Sequence, residues 1–302
     1  MSTTVAEPGT PAPPTLPVAG GPPVVERVER PARTPQRDPW TVGDLTRQLR
    51  AMGLGRGDTV LVQSSLRRLG ELAGGAATLL DALLETVGPD NGTVVVYTAS
   101  PENSDTSRLA RELTAGMTLE EEAAHKRSMP PYDRAATRTS PVLGWFPEHV
   151  RAHEKAVRSA HPQTSFTAVG GRAAELMAGH RLESHLGPHS PAQKLYDDPD
   201  ARALLIGLPV WCCTAFHLAE YQLPHPPSQV YGCVVPDPDG GSHWEHFNAV
   251  KLVDEHFMPM GPVLEKTVAG LVSGPLGDAA CWLVPVRAGV DAARNYIETC
   301  AR

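Results

Sequence analysis

The stretch from Thr59 to Tyr97 constrains the fold more than any other. Thr59 to Gln63 is a short apolar strand entered through Gly57-Asp58, and Thr93 to Tyr97 is a second, entered through Pro89-Asp90-Asn91-Gly92. Between them, from about Ala76, the residues Leu79, Leu80, Leu83, Leu84 and Val87 share one side of a helix. Two strands joined through a helix by short turns form a βαβ unit, whose strands run parallel. The expected fold class is therefore α/β: a layered α/β/α arrangement with a mixed, largely parallel central sheet and a β-rich C-terminal portion.

The flanks add elements to that unit. Thr41 reads as an N-cap with Asp44 three residues on, ahead of Leu45, Leu49 and Met52 at helical spacing, and Gly53 ends that helix. Thr118 with Glu121 caps a further short helix, and Glu120-Glu121-Glu122 reads as its solvated face. A short helix around Arg172–Met177, a strand at Ala203–Leu208 and a helix starting near Thr214 follow. Strand-like segments near Val230–Val235 and Trp244–Val253 are joined by a Pro-Asp-Gly-Gly turn. Another strand spans about Ala280–Val286, and a last helix begins near Asp291. Ten of the chain's 30 prolines fall in residues 1–39. Such a segment buries too little apolar area to offset its ordering entropy, so a disordered tail over 1–39 and one domain over 40–302 are expected.

Composition narrows the function classes. A formal charge of −7 disfavours a nucleic-acid partner, which needs clustered Lys and Arg, and favours a cationic one. No apolar run approaches the roughly 20 residues that span a bilayer, and the N-terminus has no basic start followed by an apolar stretch. A cytoplasmic location without membrane association is the expectation. The five cysteines, Cys212, Cys213, Cys233, Cys281 and Cys300, are odd in number and lack C-x-x-C spacing, which argues for free thiols and against a zinc site.

The richest segment for chemistry is the strand Leu204-Leu205-Ile206-Gly207 leading to Thr214-Ala215-Phe216-His217-Leu218-Ala219-Glu220. Ligands of open α/β sheets bind at the carboxyl ends of strands. With Thr214 as N-cap, His217 falls in the first helical turn, where the helix dipole would keep the imidazole neutral and able to accept a proton. Glu220, three residues on, can reach the ring and fix its tautomer. The same spacing also suits a core histidine beside a solvated glutamate, or a His-x-x-Glu metal pair lacking further ligands. At the first strand end, Ser64, Ser65 and Leu66 lead to Gly74-Gly75 before a helix, an arrangement suited to anions but equally to a plain turn. Two loop-rich runs, Arg158 to Gly170 and Leu186 to Tyr196, carry hydroxyl and cationic groups suited to a phosphorylated ligand.

Taken in order, these pieces are a set: Val62-Gln63-Ser64-Ser65-Leu66 with Gly74-Gly75, Arg158-Ser159 with His161-Pro162 and Ser165-Phe166, Gly187 with Ser190-Pro191, and Thr214 with His217-Leu218-Ala219-Glu220. From about Trp40 onward the chain resembles the aminoglycoside 3-N-acetyltransferase family. The resemblance implies an α/β fold distinct from the small general N-acetyltransferases. It implies acetyl-CoA as co-substrate, no metal, and a cationic small-molecule amine as acceptor. It makes His217 the catalytic base and Glu220 its support, and puts Ser64, Ser65, Leu66, Gly74, Gly75, Arg158 and Ser165 at the coenzyme. A homodimer is compatible with it. The chain departs from the pattern at Gln63, where the family usually has histidine, at Cys213, where it has a small polar residue, and over Tyr97 to Pro141. The alternatives are an acyltransferase for a biosynthetic amine, a non-catalytic CoA-binding homologue, and an acyl-enzyme route through Cys212, Cys213 or Ser65.

Overall fold

A computed structural model describes residues 38–300. The proline-rich tail expected over 1–39 therefore lies outside the described residues, apart from Asp38 and Pro39. Seven strands form one mixed sheet: β1 (Thr59–Ser64), β2 (Thr93–Tyr97), β3 (Val157–Arg158), β4 (Phe166–Gly170), β5 (Arg202–Ile206), β8 (Val272–Leu276) and β9 (Ala279–Pro285), in the order β3-β4-β2-β1-β5-β9-β8. The remaining two, β6 (Ser228–Pro236) and β7 (Ser242–Val250), make a separate antiparallel hairpin.

The expected βαβ unit is present, with β1 parallel to β2 in the register Thr59↔Thr93. The sheet is not largely parallel, however. Parallel pairing is confined to β2-β1-β5, and the pairings of β4 with β2 and β3, and of β9 with β5 and β8, are antiparallel. The correction has a local cause. β4 and β9 follow β3 and β8 through hairpin-like connections, and β4, which comes directly after the polar run Gln163-Thr164-Ser165, did not read as a strand. Its Thr167 hydroxyl pairs with that of Thr98 (3.0 Å), so the polar groups are satisfied inside the sheet.

Strand alternation splits the core in two. Val60 and Val62 join Leu45, Leu49, Leu79, Leu83 and Phe146 on one face, whereas Leu61 joins Phe166, Leu176, Leu195, Phe216 and Ile297 on the other. Helices Val42–Ala51, Ala76–Val87 and Trp145–Arg151 cover the first face. Helices Ala173–Met177, Pro191–Asp197, Leu218–Tyr221, Phe257–Thr267 and Val286–Cys300 cover the second. The layered sandwich thus stands. Its two-sided burial explains why the central strands are continuously apolar; a fully buried leucine such as Leu83 contributes about 2 kcal/mol.

Local signals behave as their chemistry dictates. Thr41 and Asp44 form a reciprocal capping box, as do Thr118 and Glu121. The last helix, expected to begin near Asp291, starts at Val286, directly after β9. No helix among the described residues is long and apolar enough to cross a membrane.

Candidate active site

The carboxyl ends of the three parallel strands converge on one cavity of about 460 Å³. Gln63 and Ser64 end β1, Tyr97 ends β2, and the loop after β5 returns through Cys212, Thr214 and His217. The loop is tied to the sheet by Gln63. Its side-chain amide donates to the Cys212 carbonyl (2.9 Å) and to Thr214 Oγ1 (3.0 Å), and its carbonyl accepts the Thr214 N–H (2.8 Å). Thr214 is consequently not the helix N-cap expected from sequence, because Gln63 occupies its hydroxyl and amide. Residues Thr214–His217 wind as a 3-10 turn, and the α-helical residues are Leu218–Tyr221.

His217 stands where the two turns meet, so the full α-helix that was to hold it neutral is absent. Its Nδ1 lies 2.9 Å from Glu220 Oε2, and its Nε2, facing the cavity, lies 3.5 Å from Asp254 Oδ1. The ring edge packs on Phe257, with centroids 4.5 Å apart. Glu220 is 2% exposed; its other oxygen accepts the Val253 N–H (2.8 Å) and lies 3.2 Å from His256 Nε2. Gly187 packs its backbone so closely on the Tyr221 ring, next to Glu220, that a Cβ would lie 2.1 Å from a ring carbon.

Burial opposes charge on His217, but Asp254 and Glu220 outweigh it and raise its pKa to about 9. The expected neutral resting ring is thereby corrected: two carboxylates, not a helix terminus, dominate its surroundings. Burial likewise opposes charge on Glu220, yet contacts from His217, His256 and the Val253 amide hold its carboxyl below the ordinary range. Contact with His217 does the same for Asp254. The set is a buried carboxylate, an imidazole and a second, solvent-facing carboxylate, in line at the mouth of a cavity. It can hold a proton and hand it to or take it from a group arriving at Nε2. Among the described residues no cluster of three or more His, Cys, Asp or Glu is arranged to hold a metal ion.

The other expected site residues divide. Ser64 lines the cavity, and its Oγ is buried without a hydrogen-bond partner among the described residues. Ser65 gives its N–H to the Ile206 carbonyl (2.9 Å), and Leu66 packs against the Leu45–Leu79 core. Gly74 donates to Thr78 Oγ1 (2.7 Å) and Gly75 precedes helix Ala76–Val87; neither belongs to the wall of this cavity. Arg158 and Ser165, expected at the coenzyme, do not line this cavity. The Arg158 guanidinium is buried and spent on Ser165 Oγ (3.0 Å), the Thr98 carbonyl (2.7 Å) and the Thr137 carbonyl, over the face of Tyr132. The pair braces the Ser100–Ser140 segment from within.

A second cavity of about 480 Å³ lies along that segment, lined by Ser100, Tyr132, Ser140, Trp145 and Glu148 among others. Its carboxylates are already engaged: Glu102 accepts from Ser140 (2.5 Å), and Glu148 from Arg151 (2.8 Å) and the Thr139 N–H (2.9 Å). Sequence reasoning missed Asp254 and the clamp at Gln63. Asp254 carries no local signal, since it reaches His217 from the far end of the β6–β7 hairpin.

Comparison with known proteins identifies what the chain is similar to. The family model for aminoglycoside 3-N-acetyltransferase matches residues 61–298. The SPbeta prophage-derived aminoglycoside N(3')-acetyltransferase-like protein YokD of Bacillus subtilis is 32% identical over 258 residues, covering 85% of this chain and 92% of that protein. Among solved structures, AAC-IIIb in binary complex with CoASH superposes with a TM-score of 0.74 at 26% identity, covering 86% of this chain and 97% of that one. AAC-VIa bound to sisomicin gives 0.73 at 30% identity, over 87% and 98%.

Proposed function

Because the chain belongs to the aminoglycoside 3-N-acetyltransferase family, we propose that it transfers the acetyl group of acetyl-CoA to the 3-amino group of an aminoglycoside, with His217 as general base and Glu220 as its support. The domain doing so spans residues 40–302. The observation that carries the reading is the His217 ring, bonded through Nδ1 to a buried carboxylate and presenting Nε2 to the cavity at the strand ends. Relatives solved with CoASH and with sisomicin support the two substrate classes.

A pKa of about 9 fits this role. An aminoglycoside arrives as an ammonium ion and must lose a proton before it can attack. A ring with comparable proton affinity takes that proton at little cost, which is the matched condition for general base catalysis. Asp254, exposed and adjacent to Nε2, meets the arriving cation first. The amine nitrogen then bonds to the thioester carbonyl carbon and the carbon–sulfur bond breaks. Of the two protons the ammonium loses, one ends on the departing thiol and one passes through His217 to solvent. The unpartnered Ser64 hydroxyl in the cavity wall supplies a donor for the thioester oxygen. No covalent intermediate on the protein is needed when both substrates share one cavity.

Thiol release from acetyl-CoA, measured across sisomicin and other deoxystreptamine aminoglycosides, tests the reading. The wild-type chain should turn over, and His217→Ala should lose about 10³ or more in rate while still binding CoA. Near-wild-type activity in His217→Ala would rule the base out. Turnover only with simple polyamines would move the acceptor to a biosynthetic amine.

A further inference from the structure

Among the described residues the Asp254 carboxylate makes no hydrogen bond that would anchor it apart from its approach to His217, and its side chain is 93% exposed. Its position must therefore come from the backbone that carries it. That backbone leaves β7 at Val250 and passes Leu252 and Val253 before reaching Asp254. At this exit the Tyr231 hydroxyl, from β6, donates to the Val250 carbonyl (3.2 Å) and accepts the Leu252 N–H (3.2 Å). The next amide, Val253, is the one that bonds Glu220 (2.8 Å).

Tyr231 is itself firmly seated. It is 7% exposed, with its ring 4.3 Å from the His185 ring and stacked on Phe247 at 5.9 Å. The strand that carries it is docked by side chains in place of a neighbouring strand. Asn103 accepts the Val234 N–H (2.7 Å) and donates to its carbonyl (3.0 Å), Asp105 accepts the Gly232 N–H (2.8 Å), and Gln163 donates to the Gly232 carbonyl (2.9 Å). A Cβ at position 232 would come 2.5 Å from Asp105 Oδ2, so a larger residue there would displace the Asp105 carboxylate from its place beside Tyr231.

We propose that Tyr231 is a positioning residue for acetyl transfer: its hydroxyl pins the chain leaving β7 so that the Val253 amide meets Glu220 and the Asp254 carboxylate meets His217 Nε2. The proposal rests on His217 acting as the base. Removing the hydroxyl leaves the ring packing intact but frees the exit of β7, and the Asp254 side chain then spends less time at Nε2. The groups facing His217 are Glu220 from its own helix, Asp254 and His256 from the segment after β7, Tyr97 from the end of β2, and the more distant His185; Arg108 acts on it through Asp254. Of these, Asp254 is the charge whose place at Nε2 depends on Tyr231, and losing that contact lowers the affinity of the ring for its proton.

The test is Tyr231→Phe in the full chain, alone and with Asp254→Asn. The readouts are NMR titration of the His217 ring, hydrogen exchange at Leu252 and Val253, and steady-state kinetics. Tyr231→Phe should lower the His217 pKa by about half a unit or more and speed exchange at the two amides. It should lower kcat several-fold while leaving KM for acetyl-CoA within about twofold. In the Asp254→Asn background the same substitution should shift the titration much less, because the two act through one contact. A wild-type His217 titration in Tyr231→Phe, or an equal shift in both backgrounds, would overturn the proposal. The titration needs no turnover: the expected shift in a chain that transfers no acetyl group would keep the positioning and sink the enzymatic reading, and the reverse result would sink the positioning alone.

Discussion

His217 and the trio His161, His180 and His185 are all largely shielded from solvent, but they meet burial with different partners. In the trio, ring nitrogens face neutral groups. His161 Nδ1 accepts the Gln163 and Thr164 amides (3.1 and 3.2 Å) while its Nε2 meets the Leu182 carbonyl (3.0 Å), and His180 lies between the Ser159 hydroxyl (2.9 Å) and the Ser184 carbonyl (3.0 Å). The rings crowd one another, with His161 centroids 4.9 and 4.6 Å from those of His180 and His185. Burial then prevails over the carbonyl contacts: His180 falls to about 4 and His185 to about 3, and His161 lies well below its ordinary value. At His217 two carboxylates reverse the sign. Desolvation alone makes a histidine an inert neutral ring; desolvation beside a carboxylate makes it a base.

Removing the carboxylate should collapse that difference, and this is the largest effect expected. Glu220→Gln keeps the side-chain shape and one acceptor oxygen but deletes the charge and replaces the second acceptor, needed by either the ring or the Val253 N–H, with an amide NH2. The His217 pKa should fall from about 9, and kcat/KM should drop by about 10²–10³. In the wild type, productive encounter needs one proton shared between ring and amine, so kcat/KM should climb with pH toward about 9 and decline above it. In Glu220→Gln the descending limb should move to lower pH. Pre-steady-state and pH-rate measurements on the two proteins check both statements. An unmoved profile would mean that Glu220 only holds the ring in place.

The trio makes the next prediction, on stability. Its folded pKa values lie below the unfolded value of about 6.5, so the unfolded chain binds more protons as pH falls. Stability is then complete above about pH 6.5 and is lost progressively toward the folded values near 4 and 3. His180 and His185 each cost on the order of 3–5 kcal/mol over that window. His217 has the opposite sign: its contribution is complete below about pH 6.5 and disappears as pH rises through about 9. His185→Phe keeps a ring against Tyr231 and Phe247 while removing one titrating group. Denaturant midpoints measured from pH 7 to 4 should show proton uptake on unfolding reduced by about one relative to wild type.

The trio also shows where sequence reading stops. His161 belongs to the Arg158-Ser159-Ala160-His161-Pro162 run, whose cation and hydroxyls read as a phosphate site. Nothing in a linear pattern reveals that Arg158 is 6% and Ser159 0% exposed, with their polar groups bonded inward. The central βαβ unit was legible because its signals are local: apolar strands, an amphipathic helix, turn residues. His217 with Glu220 was legible for the same reason, since three residues along one turn put them together. Asp254 and Tyr231 were not, because they reach the site through hairpin docking that depends on Asn103, Asp105 and Gln163, far away in sequence. β8 escaped because Gly274-Pro275 breaks the pattern of a strand, which is tolerable at the sheet edge it occupies.

The smallest expected effect extends the comparison from imidazoles to thiols. Cys213 is four residues before His217 and 2% exposed, and burial pushes its thiol up to about 12, with neither a cation nor an imidazole hydrogen-bonded to it. It stands to a reactive cysteine as His185 stands to His217: buried, unassisted and held in its neutral form. Cys212 lines the cavity, but burial raises its pKa as well, and Gln63 binds its backbone carbonyl, not its sulfur. Cys213→Ala should therefore keep kcat within about twofold, the effect of a small packing change. Intact-mass spectra after acetyl-CoA without acceptor should show no acetyl adduct on either cysteine. An adduct that forms and discharges to an aminoglycoside at the rate of turnover would transfer the chemistry from the imidazole to sulfur, and with it the claim that a flanking carboxylate is what makes a buried group reactive in this fold.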